Sequence, residues 1–378
     1  MKKGFLSVLC VVLAMFSTLA LGAGGSDEVV IGVTLPMTGD SAYGGQQSTA
    51  GMKIAVEEIN AAGGILGKKV RLDILDDKRD PTEGANTYQL LKGRGVPIII
   101  GSLTSGVTAG MAAKADVDKM PLLTPTGTAD MLTEGKSFVF RACFVDSFQG
   151  YIVAKFASET LKVKKAAVLY CSADEYSLGL YESFSVACKT FNIEIVAKEI
   201  STTMTDVDFS AQLTKIKESG AEMIFMPYYY GTAALMVVQA REAGYTGALV
   251  GADGWSSIET KIEDNAALFE NCYYTNHYST GDPDPAVQNF VKKFAEKYSL
   301  ETLTSGAALG YDSIYIAAQA MTEAGTTTDR EKIAEALRKL KFSGTTGTFT
   351  LEGGNPKKSV VILEIVNGKE KWFATVKP

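Results

Sequence analysis

The chain of 378 residues contains a single histidine, His277, and this scarcity excludes several kinds of active site. One histidine all but rules out a histidine-based catalytic dyad or a clustered zinc site. The sequence also lacks a G-x-S-x-G nucleophile elbow, a Walker phosphate loop and a dinucleotide-binding glycine pattern. We therefore expect no enzyme, no catalytic or metal-binding residues and no cofactor, and we interpret His277 as a strand or hinge residue.

Cysteine is also scarce, with five residues in the chain, one of which lies in an N-terminal apolar run. The other four, Cys143, Cys171, Cys188 and Cys272, allow three disulfide connectivities. Cys171 ends a predicted strand and Cys188 lies near the far end of the next helix, which disfavours that local pair. Two alternatives stay open: a disulfide between Cys143 and Cys272, or four unpaired and mostly buried thiols.

An excess of positive charge is absent as well. Lys and Arg number 37 against 43 Asp and Glu, which gives a formal net charge of -6 and disfavours a nucleic-acid partner. Beyond the N-terminus, no segment is long and apolar enough to cross a membrane. The composition, 46% hydrophobic and 21% charged, is ordinary for a soluble α/β protein, and the length suffices for two lobes with separate cores.

The N-terminus has the pattern of a signal peptide, residues 1–22. Lys2 and Lys3 form a short positive region, Phe5–Leu21 is apolar without a charge, and Ala20-Leu21-Gly22 fits a small-x-small cleavage site. A signal anchor is the alternative, but the apolar run is short for a membrane span. We expect cleavage near Gly22, no membrane insertion afterwards, and a soluble protein in the periplasm.

Strand and helix patterns alternate twice along the mature chain. Val29–Leu35 is a continuous apolar run, typical of a strand covered on both faces, and a helix with a buried stripe follows it. The alternation starts again at Ala166–Tyr170. This pattern predicts two parallel sheets flanked by helices, and in such sheets ligands bind beyond the carboxyl ends of the strands.

Two small-hydroxyl turns follow neighbouring strands between Pro97 and Thr128. Ser105 stands where an N-cap residue would begin a helix, and Thr126-Gly127-Thr128 closes the next strand. Free backbone N–H groups and hydroxyls in these turns would bind a carboxylate or another small anion. Either turn alone is more simply a good turn sequence, whereas two at adjacent strand ends favour a ligand site.

The second half places aromatic and acidic residues at its strand ends. Tyr228-Tyr229-Tyr230 follows one strand and Asp253-Gly254-Trp255 follows the next. These strand ends would face the hydroxyl turns across a cleft. On sequence alone, the tyrosines are also typical of a strand end at a wet boundary, and Asp253 of a turn before glycine.

The chain resembles the periplasmic substrate-binding proteins of branched-chain amino acid ABC transporters over about Val29–Val376. The segments that carry the resemblance, in order, are GVTLPMTGDSAYGGQ, EEINAAGGILGKKV, DDKRDP, IIIGSLTSG, LLTPTGT, FRACFVDSFQG, VLYCSADEYSLGL and QAREAGYTGALVGADGW. The resemblance implies a type I periplasmic binding fold, with lobe I at 27–145 plus 276–346 and lobe II at 146–275 plus 347–378. It also implies three crossovers between the lobes, near residues 143–146, 275–280 and 345–348.

The resemblance further implies how a ligand is held. Lobe I would bind the α-carboxylate of an amino acid, and lobe II would bind its ammonium group through Asp253. Trp255, next to Asp253, would fill or floor the side-chain pocket. The residues carried over to the carboxylate end are Leu103, Ser105, Thr126, Gly127 and Thr128, and the surrounding tyrosines are Tyr43, Tyr176 and Tyr229.

Some positions depart from the family pattern. Asp253 replaces the glutamate of many relatives, Thr126 is bulkier than the usual alanine, and Arg79 and Thr104 stand where some relatives have a disulfide. The resemblance implies a monomer that captures a branched-chain or similar neutral amino acid by lobe closure and delivers it to a membrane permease. The alternatives are another small carboxylate or amide as the ligand, or a role as a ligand sensor.

Overall fold

The computed structural model describes residues 27–377, so the predicted signal peptide lies outside the described residues. Strands and helices alternate along this part of the chain and form two lobes, each built around its own sheet. The two-lobed α/β fold expected from the sequence is confirmed. Within residues 27–377, no helix combines the length and apolar character needed to span a bilayer.

Lobe I contains a five-stranded parallel sheet with the order β2-β1-β3-β4-β5. Its interior strand β1 is buried along most of its length, as its apolar run predicts. Three helices from late in the chain complete this lobe. The strands are β1 (Glu28–Leu35), β2 (Lys69–Asp76), β3 (Ile99–Gly101), β4 (Leu122–Thr124) and β5 (Val139–Arg141); the helices are α1 (Ala42–Ala61), α2 (Pro81–Gly93), α3 (Ser105–Val117), α8 (Pro285–Ala295), α9 (Ser305–Ala324) and α10 (Arg330–Lys339).

Lobe II contains a seven-stranded sheet with the order β14-β13-β10-β9-β8-β6-β7, in which β13 is antiparallel to both of its neighbours and the other pairs are parallel. Two separate apolar clusters cover its two faces. The strands are β6 (Lys165–Cys171), β7 (Glu194–Ser201), β8 (Met223–Phe225), β9 (Ala248–Gly251), β10 (Cys272–Asn276), β13 (Val360–Val366) and β14 (Lys369–Val376); the helices are α4 (Asp146–Glu159), α5 (Glu175–Thr190), α6 (Ser210–Glu218) and α7 (Tyr230–Glu242).

A short hairpin marks the last passage of the chain between the lobes. Strands β11 (Lys341–Gly344) and β12 (Gly347–Thr350) pair with each other, and Phe349 packs in the core of lobe I. The predicted third crossover near 345–348 and the predicted lobe bounds (27–145 plus 276–346, and 146–275 plus 347–378) stay predictions.

Helices α1 and α9 pack against each other closely enough to require glycine. A Cβ at Gly51 would collide with the Ala307 carbonyl, and one at Gly310 would collide with the Ser48 carbonyl. This close approach brings the N-terminus of α9 next to that of α1, although more than 260 residues separate them in sequence. Both N-termini lie at the cavity described below.

All four cysteines of the described chain are buried and unpaired. Cys143 lies in the core of lobe I and Cys272 in that of lobe II, so the alternative of four buried thiols is the one observed. Burial raises the pKa of the Cys143, Cys188 and Cys272 thiols to about 12, which keeps them protonated and unreactive near neutrality.

Candidate functional site

A cavity of about 70 Å³ lies between the lobes at the carboxyl ends of their parallel strands. At about 10–15 Å³ for each water molecule, it has room for a small ligand. Six of the predicted site residues line it: Leu103, Ser105, Thr126, Tyr176, Tyr229 and Asp253. The other lining residues are Ser41, Gly44, Tyr230, Gly254, Ser256, Ser257, His277, Thr304, Ser305 and Gly306.

Lobe I contributes the hydroxyls of Ser105 and Thr126. Ser105 is the first residue of α3, and its Oγ accepts a hydrogen bond from the Ala129 N–H at 3.2 Å. Its prediction as the N-cap is wrong by one residue, because Thr104 holds that position. Thr126 donates its hydroxyl to the Leu103 carbonyl at 2.5 Å. Ser105 therefore keeps its own hydroxyl hydrogen for a ligand acceptor, whereas Thr126 already uses its hydrogen.

Gly127 and Thr128 lie behind this wall, outside the residues that line the cavity. The Gly127 N–H donates to Thr124 Oγ1 at 2.8 Å, so the expectation of a free N–H at this position is wrong. The fully buried Arg141 explains the turn: its guanidinium donates to the carbonyls of Gly127 and Ala129 at 3.0 and 2.9 Å. The Gly127 N–H therefore supports the turn from within.

Lobe II contributes the carboxylate of Asp253, held by three side chains. Tyr176 donates its hydroxyl to Oδ1 at 3.0 Å, and Gln149 donates its Nε2 to the same oxygen at 2.9 Å. His277 Nε2 lies 3.1 Å from Oδ2. The amide oxygen of Gln149 is itself fixed by the Asp253 N–H at 2.8 Å and by the Thr275 hydroxyl at 2.5 Å. The carboxylate is thus held rigidly in place before any ligand arrives.

The groups around Asp253 are neutral donors. Burial lowers the pKa of His277 below its ordinary value, so its imidazole is neutral and Nε2–H donates to the carboxylate. Burial also raises the pKa of the neighbouring Asp146 well above its usual range, and Asp253 raises it further. Among the described residues, no Lys or Arg forms an ion pair with Asp253. A carboxylate accepts about four hydrogen bonds, and three are used here, so one acceptor site remains.

Aromatic rings form the wall beside the acid. Tyr176 and Tyr229 are stacked with ring centroids 5.1 Å apart, and the Arg79 guanidinium lies 4.4 Å above the Tyr229 ring. The Tyr229 hydroxyl is buried and has no hydrogen-bond partner among the described residues. It is therefore available to a ligand group inside the cavity.

Tyr43 and Trp255 lie outside the cavity lining. Tyr43, on α1 of lobe I, packs against the core of lobe II and so bridges the two lobes. Trp255 is fully buried beneath β9, and its indole Nε1–H donates to the Met226 carbonyl at 2.9 Å. A Cβ at Gly251 would collide with the indole ring, so this tryptophan belongs to the core that supports Asp253.

Besides the packing of Tyr43, polar and stacking contacts join the lobes around the cavity. Ser256 Oγ of lobe II lies 3.0 Å from Ser305 Oγ of lobe I, and the Tyr230 hydroxyl donates to the Asp40 carbonyl at 2.9 Å. The stacking of Arg79 on Tyr229 is the third. The lobes therefore meet around the site through side chains of both.

Sequence reasoning missed the contributions of His277 and of the α9 N-terminus. His277 is the sole histidine and follows a strand at a crossover, which is a usable signal. Thr304, Ser305 and Gly306 carry no comparable signal, because the other residues that line the cavity lie far from them in sequence.

The fold and the cavity define a two-lobed protein that binds a small molecule between its lobes. A family model described as periplasmic binding protein matches residues 28–370, and the chain belongs to this family. A Leu/Ile/Val-binding protein homolog from Brucella melitensis is 30% identical over 89% of this chain and 90% of its own.

Solved structures agree with this assignment. The leucine-binding protein LivK from Thermotoga maritima is 34% identical with a TM-score of 0.87, covering 93% of this chain and 99% of that one. The substrate-binding protein LivJ from Streptococcus pneumoniae, in complex with isoleucine, is 33% identical with a TM-score of 0.85, covering 93% and 100%. This chain is similar to substrate-binding components of branched-chain amino acid ABC transporters.

Proposed function

We propose that the protein captures an α-amino acid as a zwitterion between its lobes and delivers it to the permease of an ABC importer. The observation that carries this proposal is the buried Asp253 carboxylate, which has three neutral donors and one acceptor site left. An ammonium group supplies both the missing hydrogen bond and the missing positive charge. The role is one of binding, with no chemical step assigned to any residue.

The opposite end of a zwitterion fits lobe I. The Ser105 hydroxyl hydrogen and the N-terminus of α3 both favour a negative group, because helix N-termini carry unsatisfied donors and partial positive charge. A charge-assisted hydrogen bond in a buried site is worth about 1.5–3 kcal/mol. The tyrosine faces beside the ammonium add about 0.5–2 kcal/mol through cation–π attraction.

The relatives support an amino acid and give the first ligands to test. The structure of the Streptococcus pneumoniae protein contains bound isoleucine, and the Thermotoga maritima protein is a leucine-binding protein. Asp253 reaches one methylene less far than the glutamate of many relatives, so the ammonium would sit closer to lobe II. We infer that leucine, isoleucine, valine and similar neutral amino acids are the ligand class.

We infer that capture proceeds by lobe closure in the periplasm, after removal of the signal peptide, and that the protein acts as a monomer. The three contacts between the lobes would form as the lobes close on the ligand. Delivery would then require the lobes to separate at the permease.

The test is a panel of the twenty amino acids in a thermal-shift assay of the mature, ligand-free protein. A ligand that binds only the folded state raises the melting temperature. At a concentration one hundred times its dissociation constant, it adds about 2.7 kcal/mol to the free energy of unfolding. The control is 4-methylpentanoate, which is leucine without its amine. We expect at least one amino acid to raise the melting temperature and the amine-free acid to have little effect. A response to aromatic or aliphatic acids, and to no amino acid, contradicts the proposal.

A further inference from the structure

A second concave surface, separate from the candidate ligand cavity, lies where the two lobes meet. This outer groove has a volume of about 570 Å³ and shares no lining residue with that cavity. Lobe I contributes the segment that follows β4, and lobe II contributes helices α4 and α5. Because its walls belong to both lobes, a molecule bound in the outer groove contacts both of them.

Apolar side chains are exposed on both walls of the outer groove. Met131 of lobe I is 45% exposed, and Tyr151 and Val186 of lobe II are 41% and 66% exposed. Single exposed apolar residues are ordinary, but several in one concave surface with a polar rim are typical of a protein-binding site. Tyrosine and methionine are also enriched at such interfaces. The outer groove is therefore suited to cover an apolar side chain of another protein segment.

The charged residues of the outer groove are all acidic. They are Asp130, Glu134, Glu175 and Glu182, and among the described residues no Lys or Arg lines the groove. Asp130 already accepts hydrogen bonds from the N–H and the hydroxyl of Ser147, at 2.8 and 2.5 Å. The three glutamates form no ion pair within the described part of the chain. Three carboxylates are thus left without a counter-charge from the protein.

The lysines on the same segments do not neutralise these glutamates. Lys136 directs its Nζ to the main-chain carbonyl oxygens of Met131 and Glu134, at 2.7 and 3.3 Å. Lys155 of α4 pairs with Glu159, and Lys189 of α5 lies outside the groove lining. The counter-charges that the outer groove lacks can therefore come from a partner.

We propose that the outer groove is a docking site for a protein segment that carries an apolar side chain flanked by Lys or Arg residues. The apolar side chain packs against Met131, Tyr151 and Val186, and the cations pair with the free glutamates. Complementary charge of this kind speeds encounter and excludes acidic partners. A segment docked here contacts both lobes and so favours the arrangement in which they meet. The proposal does not depend on which ligand the cavity between the lobes binds.

The test is fluorescence anisotropy of the mature protein with three labelled synthetic peptides. The first forms an amphipathic helix of leucine and arginine, the second has glutamate in place of arginine, and the third has serine in place of leucine. We expect the leucine–arginine peptide to bind at least about tenfold more tightly than either of the others, since each of these lacks one of the two contributions. Its binding should weaken as the salt concentration rises, because the glutamates are exposed.

A triple variant assigns the charge effect to the outer groove. Glu134→Gln, Glu175→Gln and Glu182→Gln together should weaken binding of the leucine–arginine peptide by roughly tenfold, at about two- to threefold for each exposed ion pair. A control triple variant carries the same Glu→Gln change at exposed acids outside the groove, so that both variants have the same net charge. These acids are Glu218, Glu242 and Glu296. The control should bind the peptide nearly as tightly as the wild type.

A second variant tests the apolar contact. Val186→Ser should weaken binding of the same peptide by about fivefold, because it removes an apolar side chain from the wall. The matched control is Val117→Ser, since Val117 is 84% exposed on α3 and does not line the groove. Both positions are exposed, so both variants should fold as the wild type does.

Three outcomes would overturn the proposal. The first is equal binding of the arginine and glutamate peptides, and the second is an equal loss of affinity in the groove variants and their controls. The third concerns a second copy of this chain as the occupant of the groove. Sedimentation of the mature protein that shows a dimer, and its dissociation by Val186→Ser, would assign the outer groove to self-association instead.

Discussion

Two buried carboxylates, Asp253 at the cavity and Asp312 on α9, are stabilised by different sets of groups. Asp312 accepts hydrogen bonds from the N–H groups of Thr345 and Thr346 at 2.9 and 2.7 Å and from the Thr346 hydroxyl at 2.6 Å. That hydroxyl in turn accepts a hydrogen bond from Lys358 Nζ at 2.6 Å. Asp253 accepts three hydrogen bonds too, but from neutral side chains alone.

The difference separates a structural acid from a binding acid. Lys358 is 2% exposed and also donates to the Ala142 carbonyl at 3.0 Å, so it connects the turn between β11 and β12, and through it α9, to the first crossover. Burial lowers the pKa of Lys358 to about 8, and Asp312 opposes this shift. The acid next to the hinge therefore has its cation supplied by the chain. The chain supplies no such cation for Asp253 among the described residues. This difference between the two acids can be tested in four ways.

The largest expected effect is on folding stability. Lys358 reaches Asp312 through the Thr346 hydroxyl, so Asp312→Asn removes the negative charge that acts on this buried ammonium group. An uncompensated buried charge costs about 3–5 kcal/mol. Asp253→Asn leaves no buried cation without a counter-charge. It should lower the free energy of unfolding by about 1 kcal/mol or less in the ligand-free protein. Urea unfolding of both variants measures the contrast. Similar losses in the two variants would remove the distinction between the acids.

The next effect is on binding. Asp253→Ala removes the partner of the ligand ammonium and should weaken amino acid binding by about 2–4 kcal/mol. Binding of the corresponding acid without the amine should change much less, because that ligand makes no ion pair. Calorimetry with both ligands checks this expectation, and equal losses would take Asp253 out of the ammonium-binding role.

Alkaline pH offers a third test, through Lys358. Its folded pKa of about 8 lies below the ordinary value of 10.5, so the unfolded chain binds more protons between these values. The contribution of Lys358 to stability therefore rises as the pH increases from 8 to 10.5, by about 2–3 kcal/mol. Subtracting the unfolding free energy of Lys358→Met at each pH isolates this group from the tyrosines. A flat difference across the window would mean that Lys358 is not desolvated in solution.

The smallest effect concerns His277. Burial lowers its folded pKa, so the unfolded state takes up the proton first, and stability falls as the pH drops below about 6.5. At still lower pH, once the folded protein itself protonates His277, the imidazolium would repel the ligand ammonium, and affinity should fall by about 1 kcal/mol. His277→Gln keeps a donor toward Asp253 and cannot titrate. The affinity of this variant for the ligand should not vary with pH over the acidic range. If the variant keeps the wild-type pH profile, a group other than His277 causes the loss of affinity.

Much of the fold follows from local signals in the sequence. The apolar run of β1 and the alternation of strands with helices predict two parallel sheets, and the strands found there agree with this prediction. A glycine-rich turn gives no sign of which core receives Phe349, which packs in the core of lobe I. Its placement is decided by packing against elements distant in sequence.

The candidate site was predictable where a functional residue directly follows a predicted strand. Ser105, Thr126 and Asp253 follow strands of their sheets, and the cavity contains all three. Gln149 and His277, which hold Asp253, come from different segments about 100 and 24 residues away. No local pattern reveals such a network, since only the tertiary structure sets those distances. The roles of these residues in ligand binding stay predictions until the variants are measured.

The contacts that join the lobes have a consequence for the ligand-free protein. Arg79 on Tyr229, Tyr230 on Asp40 and Ser256 on Ser305 are made entirely by the chain, so they can form when the cavity is empty. Under the proposed lobe closure, a ligand enters while they are broken. The measured dissociation constant is then the intrinsic constant divided by the fraction of molecules standing open. Arg79, which does not line the cavity, thereby helps to set the solute concentration at which the protein becomes half-saturated.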